Sequence, residues 1–331
     1  MSVTQSKANA PEGVTFASLA PARHRTRRAV LNAALPYLAI APAFLTFVLL
    51  LGIPVVVLFW TSVQRYGLTE FINHTSGPFV GLQNYIDVIF NAPQGLPDFG
   101  TVLMRTTAFM AGCVAATMVF GTLIALLLMR LNRYVRLLLT ASMVLAWATP
   151  AVTGAVVFQW LFDPKFGVVN WTISQFGVFG DYLNHEWFTS GITVFLVSGM
   201  LIVWGAIPFV ALSLYAGLLA VPGELSEAAR VDGASERQIF RHIYLPSLAP
   251  LLMILVFLEV IWDFKVYTQL YAIAQGGPDN QSMTLSIYSF IMGIAEGKYG
   301  YAGAASVIMM LLLMIVLIPY LRRMIKAQEA I

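Results

Sequence analysis

The chain has 331 residues, 59% of them apolar and 11% charged, with a formal net charge of +3. A water-soluble domain carries about 25% charged residues, so this chain cannot clothe its surface in charge, and most of that surface must meet lipid. The small net charge, with no Lys/Arg run interleaved with aromatics, argues against a nucleic-acid partner.

Residues 1–28 are polar, with a small-residue and proline-bearing start, and read as a disordered N-terminus. The apolar run after Arg28 exceeds the roughly 7–15 residues of a signal-peptide core, and no clear small-x-small cleavage site follows it, so it reads as a retained anchor. Uncharged runs then cover 29–64, 106–129, 137–162, 187–223, 242–258 and 299–321. About 20 apolar residues cross a hydrocarbon core, and backbone in lipid must satisfy its own hydrogen bonds. The expectation is therefore an all-α integral membrane protein. Its membrane domain spans 29–326, with six transmembrane helices near 37–62, 104–129, 137–162, 191–218, 247–272 and 301–321. The fifth reaches full length only if it continues through Glu259, Asp263 and Lys265. Cys113, the single cysteine, has no disulfide or metal partner and reads as lipid-facing or packing filler.

Basic residues orient the spans. Lys7, the arginines of 23–28, Arg130, Arg133, Arg136, Arg230, Arg237, Arg241, Arg322, Arg323 and Lys326 place 14 of the 19 Lys and Arg on one side. The opposite loops hold only Arg65, Arg105, Lys165 and Lys298, against eight acids. The basic side should be the cytoplasm, with both termini in it and the chain in a bacterial cytoplasmic membrane. The RHRTRR run at 23–28 then needs no role beyond setting topology.

A polar insert at 221–246 interrupts the apolar pattern between the fourth and fifth spans. Pro222 suits a helix start, and Glu224 and Glu227 complement the dipole there. Gly233 can take the left-handed conformation that ends a helix. Ser235 with Gln238 fits a capping box for a second helix, and Pro246 marks the next span. Leu225, Ala228 and Ala229 share one side of the first helix, and Ile239, Phe240 and Ile243 one side of the second. A cytoplasmic helix–turn–helix is expected. An amphipathic connector lying on the membrane would share this pattern, but the small Ala228-Ala229 patch and the turn at Gly233 favour a docking element.

Glu227-Ala228-Ala229, Asp232-Gly233-Ala234, Phe240, Ile243 and Leu245-Pro246 resemble the EAA signature of permease subunits of binding-protein-dependent ABC importers. FVGLQNY (79–85), DPKFGVVNW (163–171), Trp204 with PFVALSLYAGLLAVP (208–222), and QGGPDNQSMTLSIYSF (275–290) are similar to the carbohydrate branch, in the right order across roughly 35–325. The resemblance implies a channel half, not an enzyme. The helix after Pro222 would seat in a cytoplasmic ABC ATPase dimer, with Glu227, Ala228, Ala229, Asp232, Gly233, Ala234, Phe240, Leu245 and Pro246 as coupling residues. It implies a second homologous permease and an extracytoplasmic sugar-binding protein as partners. No cofactor would be bound by this chain; ATP and Mg would sit on the partner ATPase. In agreement, none of the five lysines lies in a phosphate-cradling G-x-x-x-x-G-K-[ST] loop, and the four histidines show no metal-binding spacing.

The segment EVIWDFKVYTQLY, 259–271, puts charge inside the fifth span. At 1.5 Å per residue Glu259 lies about 20 Å beyond Pro246, where each charge costs on the order of 3 kcal/mol unless it faces an interior or a watery cavity. Glu259 and Asp263 share a helix face, as do Lys265 and Gln269. Two readings stand. These groups could brace the bundle through ion pairs such as Asp263/Lys265. Alternatively Trp262, Asp263, Tyr267 and Gln269 line a sugar pathway, with aromatic faces on C–H surfaces and carboxylates or amides on hydroxyls. The resemblance favours Asp263 for the pathway; Trp204 and Tyr215 are weaker candidates. A rival function is a proton-coupled secondary transporter using Glu259 and Asp263, for which inverted repeats with broken helices would be expected.

Overall fold

The computed structural model describes residue 37 and residues 39–329, apart from 92, 94, 177–179 and 181. The readings placed on 1–36, including the disordered N-terminus and the basic run at 23–28, fall outside the described residues. The chain divides into two units at Val57/Leu58. The first contributes most of an apolar helix, α1 (Ala39–Ser62), whose mean hydropathy is 2.6.

In the second unit every described element is helical, and the described residues contain no strand beyond an isolated bridge between Gln64 and Phe79. The elements are α2 (Leu68–Ile72), α3 (Gln83–Phe90), α4 (Phe99–Arg130), α5 (Arg133–Trp147), α6 (Ala151–Leu161), α7 (Val168–Phe176), α8 (Gly191–Ala220) and α9 (Gly223–Val231). They continue with α10 (236–264, carrying a π-helical turn at Phe240–Tyr244), α11 (Thr268–Ala274), α12 (Leu285–Ala295) and α13 (Tyr299–Glu329). Among the described residues five helices are long and apolar enough to cross a membrane, and six spans result if the bent pair α5–α6 forms one.

Side-chain caps set several starts. Asp98 accepts from Thr101 N–H at 2.8 Å and begins α4, five residues ahead of the expected 104. Hydrogen bonding from the Thr101 side chain, then from its N–H, holds the Asp98 carboxyl below its ordinary range. Asn132 accepts from Val135 N–H at 3.0 Å and restarts the chain after α4.

The expected continuous span 137–162 is instead two helices bent by 103° between Trp147 and Ala151. The cause is local. Pro150 offers no N–H and biases Thr149 away from helical backbone, so α5 ends at Trp147 and α6 starts anew. The fifth span also differs from a plain 247–272 helix. It runs unbroken from the insert through Pro246, breaks at Lys265–Tyr267, and resumes as α11. Gln159 of α6 holds the resumed piece, donating to the carbonyls of Ala272 (3.1 Å) and Ile273 (2.9 Å).

The core forms where α4 packs along α8. At Gly121 a Cβ would come within 2.6 Å of Val210 Cγ1, so only glycine allows this approach. Cys113 is buried against the same seam, beside Phe109 and Gly199, which makes it packing and not lipid-facing. Outward faces carry Phe120, Leu123, Leu145 and Val156, all more than half exposed, as lipid contact requires.

The ends of α1, α3, α4, α8 and α12 opposite the insert are tied by polar side chains. Buried Asn84 of the 79–85 motif donates to both Ser62 and Gln64 carbonyls at 2.8 Å. In the 163–171 motif, Asp163 accepts from the N–H groups of Lys165 and Phe166 at 2.8 Å. The latter bond, then the former, holds its carboxyl below the usual range. Asn170 accepts from Trp187 at 2.6 Å. In the loop before α12, Gln281 accepts from Gly191 N–H at 3.0 Å, and Arg105 donates to the Asn280 carbonyl at 2.9 Å. Replacing Asn84 by leucine removes both bonds, strands the Ser62 carbonyl at a cost of about 1–3 kcal/mol, and leaves the Gln64 carbonyl only its bond from Tyr66 N–H at 2.9 Å. A clearly lower melting temperature in detergent is expected, and an unchanged one would show that the tie contributes nothing.

Candidate functional site

Two sites lie along α10, one at each end. At its start, α9 and the first turns of α10 form the insert. Gly233 adopts φ +82° after Asp232, and its N–H closes on Arg230 O at 3.1 Å while Ala234 N–H reaches Ala229 O at 2.9 Å. A residue with a Cβ is strained there. The capping box at Ser235 and Gln238 is formed from both sides. Glu227, Ala228, Asp232, Gly233 and Pro246 are exposed, and Ala229 and Ala234 are half-buried. Half-buried Phe240 and exposed Leu245 line an apolar groove with Leu126 of α4 and Leu214 of α8. Ile239 is 1% exposed. The second insert helix is therefore rooted in the bundle while the first stands clear of it.

Sequence reasoning missed Glu236, which bridges Arg230 at 3.0 Å and Arg130 at 3.4 Å. Arg130 closes α4, so the bridge links the insert to the second span across 106 residues. Such exposed pairs each contribute at most about 1 kcal/mol. A pairing at that separation leaves no signal in local sequence.

Toward the other end of α10 a cavity of about 260 Å³ opens between α6, α8 and α10. Glu259, Trp262 and Asp263 line it from α10, Gln269 from α11, and Trp204 from α8. Thr149 and Trp147 close it from the bend. Glu259 is 0% and Asp263 3% exposed. Neither Glu259 oxygen, nor Asp263 Oδ2, has a hydrogen-bond partner. Aromatic neighbours hold the tryptophans: Phe209 lies 5.3 Å from Trp262 and 6.3 Å from Trp147, centroid to centroid, and Phe158 lies 5.9 Å from Trp204.

The structure thus brings together Glu259, Trp262, Asp263, Gln269 and Trp204. It separates two others. Lys265 stands at the helix break, exposed and without an ion pair, so the bracing pair Asp263/Lys265 is not formed. Tyr267 packs between Tyr271 (5.1 Å) and Phe290 (4.9 Å). Both residues follow Phe264, where the helix ends and its face register lapses. Tyr215 lies instead under the Arg136 guanidinium, 5.8 Å away. Sequence reasoning also missed Trp147 and Thr149, which reach the cavity only because α5 and α6 bend.

Apolar spans enclosing an acidic, aromatic cavity define a polytopic helical membrane permease. The chain belongs to the family of binding-protein-dependent transport system inner membrane components, whose pattern matches residues 117–328. It is 40% identical over 294 residues to the diacetylchitobiose uptake system permease protein DasB of Streptomyces coelicolor, across 89% of this chain and 88% of that one. It is 31% identical over 291 residues to the trehalose/maltose transport system permease protein MalF of Thermococcus litoralis, across 88% and 94%. Among solved structures, a chain of a bacterial ABC transporter that imports the acidic polysaccharide alginate shares the fold. Its TM-score is 0.76 at 17% identity, covering 91% of this chain and 99% of that one.

Proposed function

We propose that this chain is the channel-forming subunit of an ABC importer that carries a di- or oligosaccharide across a bacterial cytoplasmic membrane, with both termini cytoplasmic. The observation that carries the reading is the cavity. Trp204 and Trp262 offer flat apolar faces, and Asp263, Glu259 and Gln269 offer hydrogen-bond groups beside them, the combination a pyranose ring needs. The relatives named for diacetylchitobiose and trehalose/maltose support a sugar as the cargo.

Transport is driven by ATP hydrolysis on a separate ATPase dimer that binds ATP and Mg. A second homologous permease completes the pathway, and an extracytoplasmic sugar-binding protein delivers the cargo. A neighbour solved with its periplasmic protein loaded with alginate pentasaccharide is consistent with such delivery. The exposed Glu227-Ala228-Ala229 and Asp232-Gly233-Ala234 form the ATPase-facing lobe, and Phe240, Leu245 and Pro246 transmit its movement into α10. Two access states biased by the ATPases at one site and by sugar at another make the coupling allosteric.

Affinity purification from the native membrane should recover an ATPase and a second permease with this chain. Reconstituted with them, the parent should take up sugar only with ATP. Trp262→Ala should lower uptake by about ten-fold or more while assembly is retained, since an aromatic face worth about 1.5 kcal/mol is lost. The unpartnered Glu259 and Asp263 would also suit a proton-coupled carrier. ATP-independent uptake driven by a proton gradient, by the chain alone, would establish that reading and overturn this one.

A further inference from the structure

We infer that the cavity selects a saccharide bearing a protonated amine, the substrate's ammonium lying between Glu259 and Asp263 with its ring against Trp204 and Trp262. The inference rests on the sugar-importer reading above and names the chemical class of its cargo.

The charge balance of the cavity points to this. Glu259 and Asp263 stand one helical turn apart on α10, are at least 97% buried, and leave three carboxylate oxygens without a partner. An ionised buried carboxylate with nothing to compensate it is strongly unfavourable: it takes up a proton, or it gains a positive charge that also donates hydrogen bonds. Among the described residues none supplies it: no Lys, Arg or His lines the cavity. Of the elements that line the cavity, α8 brings Trp204, α6 and the bend bring Thr149 and Gly154, and α11 brings Gln269; all are neutral. Lys265 lies past the helix end and is exposed.

The backbone does not restore the balance. Helix α10 ends at Phe264, next to Asp263, with its negative pole, and α6 begins at Ala151 with its positive pole, and both border the cavity. These partial charges of opposite sign, each about half a unit, offset one another to first order. Two carboxylates remain. An ammonium carries one positive charge and three donors: it neutralises one carboxylate, leaves a proton to the other and matches the three unpartnered oxygens in number, and tryptophan faces attract a cation as well as a sugar ring. A neutral hydroxyl would supply a donor but no charge, and an anionic sugar would be repelled.

The test uses the permease–ATPase complex in lipid nanodiscs with no binding protein added, so that selection by that protein does not enter. Intrinsic tryptophan fluorescence is titrated with β-1,4-linked glucosamine disaccharide bearing free amines and with its N,N′-diacetylated form, in buffers of high and of very low sodium. The parent should bind the amine form at least about ten-fold more tightly. That ratio should fall toward one in Glu259→Gln and Asp263→Asn, whose assembly is checked by gel filtration. Equal binding of the two sugars by the parent overturns the inference and leaves the sugar reading standing; binding of neither overturns both. A preference that persists in the variants also overturns it. So does loss of both affinities at very low sodium, which would assign the acids to an inorganic cation. If the variants fail to assemble, the parent's ratio decides.

Discussion

Gly233→Pro should abolish coupled transport while the chain still reaches the membrane. The backbone at 233 has φ +82°, whereas proline is locked near −65°, and the substitution also deletes the N–H that closes on Arg230 O at 3.1 Å. Forcing the turn costs about 1–3 kcal/mol, and the lost bond adds about 1 kcal/mol. The turn must therefore reorganise, and the lobe carrying Glu227, Ala228 and Asp232 is re-aimed relative to α10. Uptake by the reconstituted complex should drop by about 100-fold or more, with loss of the ATPase on purification. Gly223→Ala is the matched control, because its Cβ would meet nothing within 4 Å and its φ is not left-handed. Full transport by Gly233→Pro would remove the turn from the coupling mechanism.

Gly121→Leu should damage the fold itself. The first added carbon already falls within 2.6 Å of Val210 Cγ1, so α4 and α8 must separate along the seam that carries Cys113 and the cavity wall. Overpacking of this kind costs about 1–3 kcal/mol, and well-folded chain recovered in detergent should fall several-fold. Gly112→Leu on the same helix should be nearly silent, since a Cβ there meets open space. Thermal unfolding of the two proteins side by side decides it. Equal melting temperatures would mean that the α4–α8 approach is not a constraint.

Much of the insert was legible in contiguous residues. A helix start at Pro222, a glycine stop at Gly233 and a capping box at Ser235 are local chemistry, and each forms its turn through residues at most five apart. The acids of the fifth span were legible as anomalies for the same reason, since each stands in an apolar window. Less was legible where the chain breaks. A helix continued through 259–271 put Lys265 and Gln269 on one face and Tyr267 near Asp263, but the helix ends at Phe264 and its periodicity ends with it. The bend at Pro150 had a local cue in the proline. Its direction, which delivers Trp147 and Thr149 to the cavity, had none.

By itself, then, the sequence determined that this is a helical membrane protein, which segments can cross the bilayer, and where a polar helix–turn–helix interrupts them. Hydropathy, helix termini and charge are properties of neighbouring residues. Only the tertiary structure decided that Glu259 and Asp263 share a cavity with Trp204 and not an ion pair with Lys265, and that Glu236 ties the insert to Arg130. It also decided that at Gly121 α4 and α8 lie too close for a side chain. Those outcomes depend on how helices far apart in the chain pack against one another, and local periodicity does not specify that packing.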